Sequence, residues 1–207
     1  MNSNATKKIV VHSIPKGLEN DYKPFIYALN RYFIKEHRYI KVKLEGINYK
    51  DLDLYNNRIV IRQLNQENLI CAAYEKNALS SQSVYNIKIN KSPIPEFNHF
   101  YLLGLLNSRL VSYYFIKTFG SYKSLFPRIL IEKLKTLPIK IPSTKKEKEM
   151  SNDIKEKVNQ ILHSEEINGT QVLRLQNQID LLVNNLYQIN EDDYHHILKT
   201  LNKHNKK

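Results

Sequence analysis

The region from residue 100 to residue 142 concentrates the side chains of this chain that can do chemistry. It holds seven lysines and arginines against a single acid, Glu132, and it mixes these cations with tyrosine, phenylalanine and glycine. An apolar stretch carrying Asn107-Ser108-Arg109 comes first, and the basic segment that follows it ends in Leu137-Pro138-Ile139. Cations and aromatic rings that a hydrophobic scaffold presents together are typical of proteins that bind a polyanion. The pattern therefore indicates binding rather than catalysis.

The positive charge of the chain is unevenly distributed. The formal net charge is +12, and all of the excess lies in the first 140 residues, because residues 141–207 contain ten cations and ten acids. We therefore expect a basic recognition region joined to a neutral scaffold or docking region. The alternative interpretation is that the lysines serve only solubility.

Cysteine content and hydropathy exclude several classes of protein. The single cysteine, Cys71, excludes an intramolecular disulfide framework and a multi-cysteine zinc site, and its apolar neighbours favour a place in the core. No stretch approaches the roughly 18 apolar residues that a membrane span needs. The amino terminus lacks the apolar core of a signal peptide, so we expect a cytoplasmic protein with no membrane partner.

The motifs of cofactor-dependent and metal-dependent enzymes are missing from the sequence. The five glycines form no Gly-x-Gly and the seven prolines are isolated, so neither a nucleotide-binding turn nor the Pro-Pro-aromatic motif of amino-methyltransferases occurs. A magnesium-dependent nuclease needs an acid upstream of an acid-x-Lys triplet. The triplets starting at Asp21 and Asp153 lack a convincing upstream acid. We predict no catalytic residue, no metal site, no cofactor and no small-molecule substrate.

Periodicity in the first half of the chain predicts β-strands. Residues 58–62 alternate polar and β-branched side chains, as a half-buried strand does, and residues 84–89 alternate again after the apolar run 69–74. A helix over about 98–118 follows, and it is buried because it is apolar nearly all round. Gly104, Ser108 and Ser112 lie four residues apart on this helix, where they form a groove that a neighbouring element can approach closely.

The last third of the chain predicts helices. Thr144 and Glu147 fit a capping box, and an apolar stripe follows it at helical spacing. Asn168-Gly169 breaks the chain before a second helix with a heptad-like apolar seam. Asn190 and the acids after it fit the start of a third helix. The prediction is an α+β fold, in which a small mixed β-sheet with a buried helix precedes a helical hairpin or bundle.

Segments of this chain resemble, in the correct order, the TaqI-like C-terminal specificity domain. In type IIG restriction–modification enzymes and related phage-defence methyltransferases, this target-recognition region follows an adenine-specific methyltransferase domain. The similar segments are RIVIRQ at 58–63 with the run 69–74, LLGLLNSRLVSYYF at 102–115, FPRI through LPI at 126–139, and the helix pair at 178–192. Residues 20–45 match only loosely. The methyltransferase domain is missing, so an excised domain, a separate specificity subunit and a gene remnant all remain open.

The resemblance implies a non-catalytic domain that recognises double-stranded DNA in partnership with a methyltransferase or endonuclease domain. Phosphates would supply affinity, and base edges would supply specificity. We expect lysines to neutralise phosphates, arginines to bind guanine, glutamine or asparagine to bind adenine, and the loop starting at Gly120 to enter the groove. The candidate residues are Arg62, Gln63, Asn65, Gln82, Arg109, Lys117, Ser121, Tyr122, Lys123, Arg128, Lys133 and Lys135.

Three alternatives accompany these assignments. Arg58, Arg62 and Arg109 can instead flank core elements or pair with acids. The whole chain can be a helical adaptor whose basic face binds DNA only non-specifically, and a nuclease acting through Asp21 is the least favoured. The domain boundaries that we predict are a disordered tail at 1–7, a target-recognition domain at 8–142, and a helical scaffold at 143–207.

Overall fold

The fold is α+β, as predicted, in a computed structural model that describes residues 9–42, 49, 51–63, 69–119, 129–167 and 169–203. One antiparallel sheet has the order β1-β3-β2, and a second has the order β5-β4-β6. Short 3-10 helices occur at Glu19–Asp21 and Leu52–Tyr55. The strands are β1 (Val10–Val11), β2 (Tyr22–Leu29), β3 (Ile34–Lys41), β4 (Arg58–Arg62), β5 (Ala72–Glu75) and β6 (Val84–Ile87). The helices are α1 (His99–Leu106), α2 (Arg109–Phe119), α3 (Ile131–Leu134), α4 (Lys145–Leu162), α5 (Thr170–Leu186) and α6 (Glu191–Lys203).

The second sheet lies between the first sheet and the helices. Val60 of β4 packs in a cluster with Ile26 and Leu29 of the first sheet. Its neighbours Ile59 and Ile61 point the other way and join the cluster formed with the helices. The expectation of a half-buried strand at 58–62 is therefore wrong, because both faces of this central strand are covered and even Arg58 is fully buried.

The predicted single helix over 98–118 is two helices, α1 and α2, that meet at Asn107 and Ser108. The Asn107 side chain accepts the Ala72 N–H at 3.1 Å and donates to the Ala72 carbonyl at 2.9 Å, as a neighbouring strand would. Ser108 Oγ accepts the Val111 N–H at 3.2 Å and thereby caps the start of α2. Asn107 lies between the two helices, and its side chain bonds to the backbone of β5. These hydrogen bonds anchor the α1–α2 junction to the second sheet.

The small-residue groove of this region packs closely, as predicted. A Cβ on Gly104 would lie 2.5 Å from Ile154 Cγ2 and 3.3 Å from Val158 Cγ2, so only glycine allows α4 to approach α1 this closely. Ser112 Oγ accepts the Ile70 N–H at 3.1 Å. The groove therefore receives a helix at one end and the chain leading into β5 at the other.

The first and third of the C-terminal helices begin where the capping motifs predicted, and the second begins at Thr170, after the predicted break at Asn168-Gly169. The Thr144–Glu147 capping box is present, and Asn190 Oδ1 accepts the Asp193 N–H at 2.8 Å at the start of α6. Ile154 and Val158 of α4 and Ile179 of α5 are fully buried, in the same cluster as Ile59 of β4. One core therefore crosses the boundary predicted at residue 142, although the division into two domains stays a prediction. Cys71 is buried in the core, as expected.

Candidate nucleic-acid interface

The end of β4 is joined to Ile129, the residue that follows the segment 120–128. The Gln63 carbonyl accepts the Ile129 N–H at 2.7 Å, and the Gln63 side-chain amide donates to the Gln82 carbonyl. The Gln63 N–H donates to the Ser83 carbonyl at 3.2 Å. Gln63 is 7% exposed, so its side chain holds the connection before β6 against β4. This internal role argues against the predicted adenine contact, which remains untested.

Lys133 fixes the other end of the same segment. Its Nζ donates to the Phe119 carbonyl at 3.1 Å, and it lies 5.5 Å from the centroid of the Phe119 ring. The carbonyl is the last of α2, where a cation is favourable at the negative end of the helix dipole. Phe119 and Ile129, the residues on either side of 120–128, are thus tied to α3 and to β4 respectively. The predicted phosphate ligand Lys133 is half-buried and also has a structural partner.

The remaining described candidates are more accessible. Lys117 is exposed on α2, with its Nζ 5.7 Å from the centre of the Tyr113 ring. Lys135 is exposed after α3, and its 3.7 Å pair with Glu132 is open to solvent on both sides. Exposed pairs of this kind contribute little to stability, so this lysine stays available to another anion. Gln82 is exposed and Arg62 is half-buried beside it at the end of β4.

Arg109 has an acid as its partner, which was the alternative to a guanine contact. Its guanidinium pairs with Asp180 of α5, which is 1% exposed, and also donates to Asn177 Oδ1 at 2.9 Å. The Arg109 N–H donates to Asp180 Oδ1 at 2.8 Å. Burial alone would lower the pKa of Arg109, but the Asp180 charge, Tyr194 and the hydrogen bonds to both together raise it. Burial raises the pKa of Asp180, and the charges of Arg109 and Arg31 act against that rise.

A second buried arginine, Arg58, begins β4 and carries no exposed surface. Its Nε donates to Asn86 Oδ1 at 2.6 Å and its Nη2 to the Ala78 carbonyl at 2.6 Å. It lies 4.9 Å from the centre of the Tyr55 ring. Burial lowers the pKa of Arg58, and the nearby Glu75 carboxylate opposes that change. Arg58 therefore flanks the core, as the alternative interpretation stated.

Glu75 at the end of β5 is a buried carboxylate with three hydrogen-bond partners. It lies 2.7 Å from His37 Nε2 and accepts the N–H groups of Asn77 and Ala78 at 3.0 Å. Burial alone would raise the pKa of Glu75, but these hydrogen bonds together lower it to about 2. The carboxylate joins the first sheet to the turn between β5 and β6, and so fixes the path that leads to Gln82.

Five of the predicted site residues lie outside the described residues. They are Asn65, Ser121, Tyr122, Lys123 and Arg128, and the predicted groove-entering loop at 120–123 and the tail at 1–7 lie outside them too. Among the described residues, no group of three histidine, cysteine, aspartate or glutamate side chains is placed to hold a metal ion. Asp153 is exposed on α4. No helix in the described ranges is long and apolar enough to cross a membrane.

The first sheet carries a cationic and aromatic pair that the sequence patterns did not single out. The Arg38 guanidinium lies over the Tyr27 ring, 3.1 Å from its centroid, and Tyr27 is 52% exposed. The two residues are eleven positions apart on paired strands, and the pairing contains an irregularity next to Tyr27. The alternation of polar residues in β3 predicts a strand, but it does not predict that Arg38 stacks on Tyr27.

Together these features define a class of protein: an α+β binding module with exposed cations at the strand ends, beside α2 and α3, and on the first sheet. The chain belongs to the family of TaqI-like C-terminal specificity domains, whose model matches residues 6–139. A putative type II restriction enzyme and methyltransferase of Methanocaldococcus jannaschii is 33% identical over 124 residues, which are 53% of this chain and 10% of that protein.

A solved structure with a similar fold is that of the type IIL restriction–modification enzyme MmeI in complex with DNA, with a TM-score of 0.55 and 14% identity. The similarity covers 91% of this chain and 32% of the MmeI chain. The chain thus spans about a tenth of the archaeal relative and about a third of MmeI.

Proposed function

We propose that this chain recognises a specific sequence of double-stranded DNA and acts as the specificity module of a restriction–modification or phage-defence methyltransferase. The observation that carries the proposal is the match of residues 6–139 to the specificity-domain family. Both similar proteins are restriction–modification enzymes, and the MmeI structure contains DNA. The chain supplies recognition and no catalysis, and a methyltransferase or endonuclease domain or subunit is its partner.

Exposed lysines supply the electrostatic part of binding in this proposal. Lys117 and Lys135 are accessible, and Lys133 lies between them in chain order with its charge partly shared by the Phe119 carbonyl. Each phosphate that a lysine neutralises releases counterions, which makes affinity fall with salt. Lys123 belongs to the same set by sequence. These contacts set the position of the protein on the duplex and carry no sequence information.

Base recognition belongs to side chains at the end of β4 and in the segment 120–128. Arg62 and Gln82 are the accessible candidates there, with Asn65, Ser121, Tyr122 and Arg128 as candidates from the sequence. Gln63, Arg109 and the buried Arg58 position these elements through internal bonds. The two described neighbours of the segment 120–128, Phe119 and Ile129, are hydrogen-bonded to Lys133 and Gln63.

A selection on randomised duplex DNA tests this function. The full chain should enrich one sequence motif, and binding to that motif should survive at physiological salt while binding to other DNA is lost. Arg128→Ala should weaken affinity or alter the preferred sequence; no change in either would remove the segment 120–128 from the proposed interface. Unselective binding that disappears with salt would instead support the basic adaptor, or a requirement for the partner domain.

A further inference from the structure

The surface of the first sheet presents an arginine whose plane is already fixed. Arg38 of β3 stacks on the ring of Tyr27 of β2 at 3.1 Å from the ring centroid. Its Nε donates to Glu36 Oε1 at 2.7 Å, and Glu36 is in turn 3.6 Å from His12 Nδ1. Stacking fixes the plane of the guanidinium, and the Nε bond fixes its rotation within that plane. The side chain has therefore lost most of its conformational freedom before any ligand binds.

The outer end of this guanidinium has no internal role. Among the described residues, neither Nη1 nor Nη2 of Arg38 has a hydrogen-bond partner, and neither is among the buried polar atoms left without one. The arginines with internal roles differ in this respect, because Arg58 and Arg109 use their Nη atoms for internal bonds. The Arg38 side chain is 19% exposed, and the two Nη donors of its planar fork make no internal bond.

A bulge in β2 creates this arrangement. Ile26 pairs with His37 and Ala28 pairs with Glu36, so Tyr27 has no residue opposite it. An extra residue of this kind redirects a side chain and increases the local twist of the strand. Here it turns the Tyr27 ring outward, to 52% exposure, beneath the Arg38 guanidinium. Nothing in the core needs this exposed ring, since the neighbours Ile26 and Leu29 make the contacts with Val60.

We propose that Arg38 contacts a base directly and recognises the O6 and N7 atoms of a guanine in the major groove. This inference rests on the proposed function and adds a residue from the first sheet to it. A bidentate arginine is the commonest specific partner of guanine in the major groove. Stacking on Tyr27 and the bond to Glu36 supply the rigidity that such a contact requires.

Lys23 fits the role of a phosphate ligand beside this contact. It pairs with Ile40 in register while Phe25 pairs with Arg38, so Lys23 and Arg38 lie on one face of the sheet. Lys23 is exposed and lies two positions along the ladder from Arg38, which is about 7 Å. Its cation therefore adds to the positive charge beside Arg38, which favours approach of the DNA backbone.

The test compares the base preferences of matched variants in the same selection. Arg38→Gln removes the charge and the fork, so a guanine preference of roughly 5- to 150-fold at one base pair should be lost while the other positions stay unchanged. Tyr27→Ala should weaken the same position, and Tyr27→Phe, which keeps the ring, should not. Lys35→Gln is the matched control, because Lys35 is exposed on β3 but faces the other side of the strand.

The outcomes separate this inference from the proposed function. If the wild-type chain enriches a motif and Arg38→Gln retains the preference at every position, Arg38 makes no base contact and only the present inference is overturned. If the wild-type chain enriches no motif, sequence recognition by the chain alone is overturned together with it. Should Arg38→Gln fail to fold by circular dichroism, Glu36→Ala decides, since it leaves Arg38 in place and removes the acceptor of its Nε. A weakened preference at one base pair supports the inference, and an unchanged motif overturns it.

Discussion

Asp180 of α5 caps helix α2 through Arg109: it accepts the Arg109 backbone N–H at 2.8 Å and pairs with the Arg109 guanidinium. Arg31, from the turn between β2 and β3, donates to the Asn107 carbonyl and to Gln176 Oε1 next to this pair. Arg31 thus joins the first sheet to the α1–α2 junction and to α5, beside the Arg109–Asp180 pair. Arg109 therefore has a structural role in this fold.

Asp180→Ala should destabilise the chain strongly. The substitution leaves a largely buried guanidinium without its counter-charge, and breaking a buried pair costs about 3–5 kcal/mol. Loss of the contact to the Arg109 N–H is part of this cost. Urea unfolding measures the change. Glu132→Gln is the control, because Glu132 and Lys135 are 78% and 65% exposed and removing such a pair should cost under about 1 kcal/mol. Equal effects of the two variants would contradict the structural role of Asp180.

Asn107→Leu should lower the thermal stability of the chain. The Asn107 amide accepts the Ala72 N–H and donates to the Ala72 carbonyl, which also accepts the Tyr32 N–H at 2.7 Å. A leucine would leave the buried Ala72 N–H without a partner, which costs about 1–3 kcal/mol. For a chain of this size, each kcal/mol lowers Tm by about 2–4 °C, so a decrease of about 2–12 °C is expected. Asn185→Ala, at an exposed position of α5, should change Tm little.

Gly104→Ala should destabilise the chain even though alanine is the better helix former. Alanine gains about 1 kcal/mol in helix propensity. Its Cβ would, however, lie 2.5 Å from Ile154 Cγ2, and overpacking of a core costs about 1–3 kcal/mol. The cause is tested in a double-mutant cycle with Ile154→Ala, which should cost less in the Gly104→Ala background than in the wild-type chain. Additive effects would show that the two helices do not meet at this point.

Local patterns in the sequence predicted the elements but not the partners of their side chains. The capping box at Thr144, the N-cap at Asn190 and the strands β4 and β6 depend on neighbouring residues, and they are present. The partner of Arg109 is 71 residues away, so no local pattern could assign it. The same holds for the break at Asn107, where a side-chain contact to β5 overrides an apolar run that favours one continuous helix.

Burial of the polar candidates was the least predictable feature of the site. Gln63 follows a strand and was expected at the surface, yet the connection before β6 folds over it. The bulge that exposes Tyr27 depends on the register between β2 and β3, which the sequence does not specify. Lysines such as Lys117 were easier to predict as surface residues, because a lysine is rarely buried and Lys117 is exposed.

Glu75 should make stability depend on pH in the acid range. Its pKa is about 2 in the folded chain, and the pKa of an unfolded glutamate is about 4.3, so the carboxylate stabilises the fold above about pH 4.3. This contribution, on the order of 2–3 kcal/mol, is lost as the pH falls towards 2. Glu75→Gln keeps the shape without the charge. The difference in unfolding free energy between wild type and Glu75→Gln should shrink between pH 5 and pH 2, and a constant difference would contradict it.

Lys117→Gln and Lys135→Gln should each weaken DNA binding about equally for all sequences. Each lysine that neutralises a phosphate contributes about 0.9 to the slope of the logarithm of the binding constant against the logarithm of the salt concentration. Titration of salt against a preferred and an unrelated duplex measures this slope, which should decrease by about 1 for each variant on both duplexes. Lys145→Gln is the matched control, because Lys145 is exposed in the first turn of α4, within the region whose net charge is zero. A slope that changes as much for Lys145→Gln as for Lys117→Gln would mean that the cations act through the overall charge, as the adaptor alternative requires.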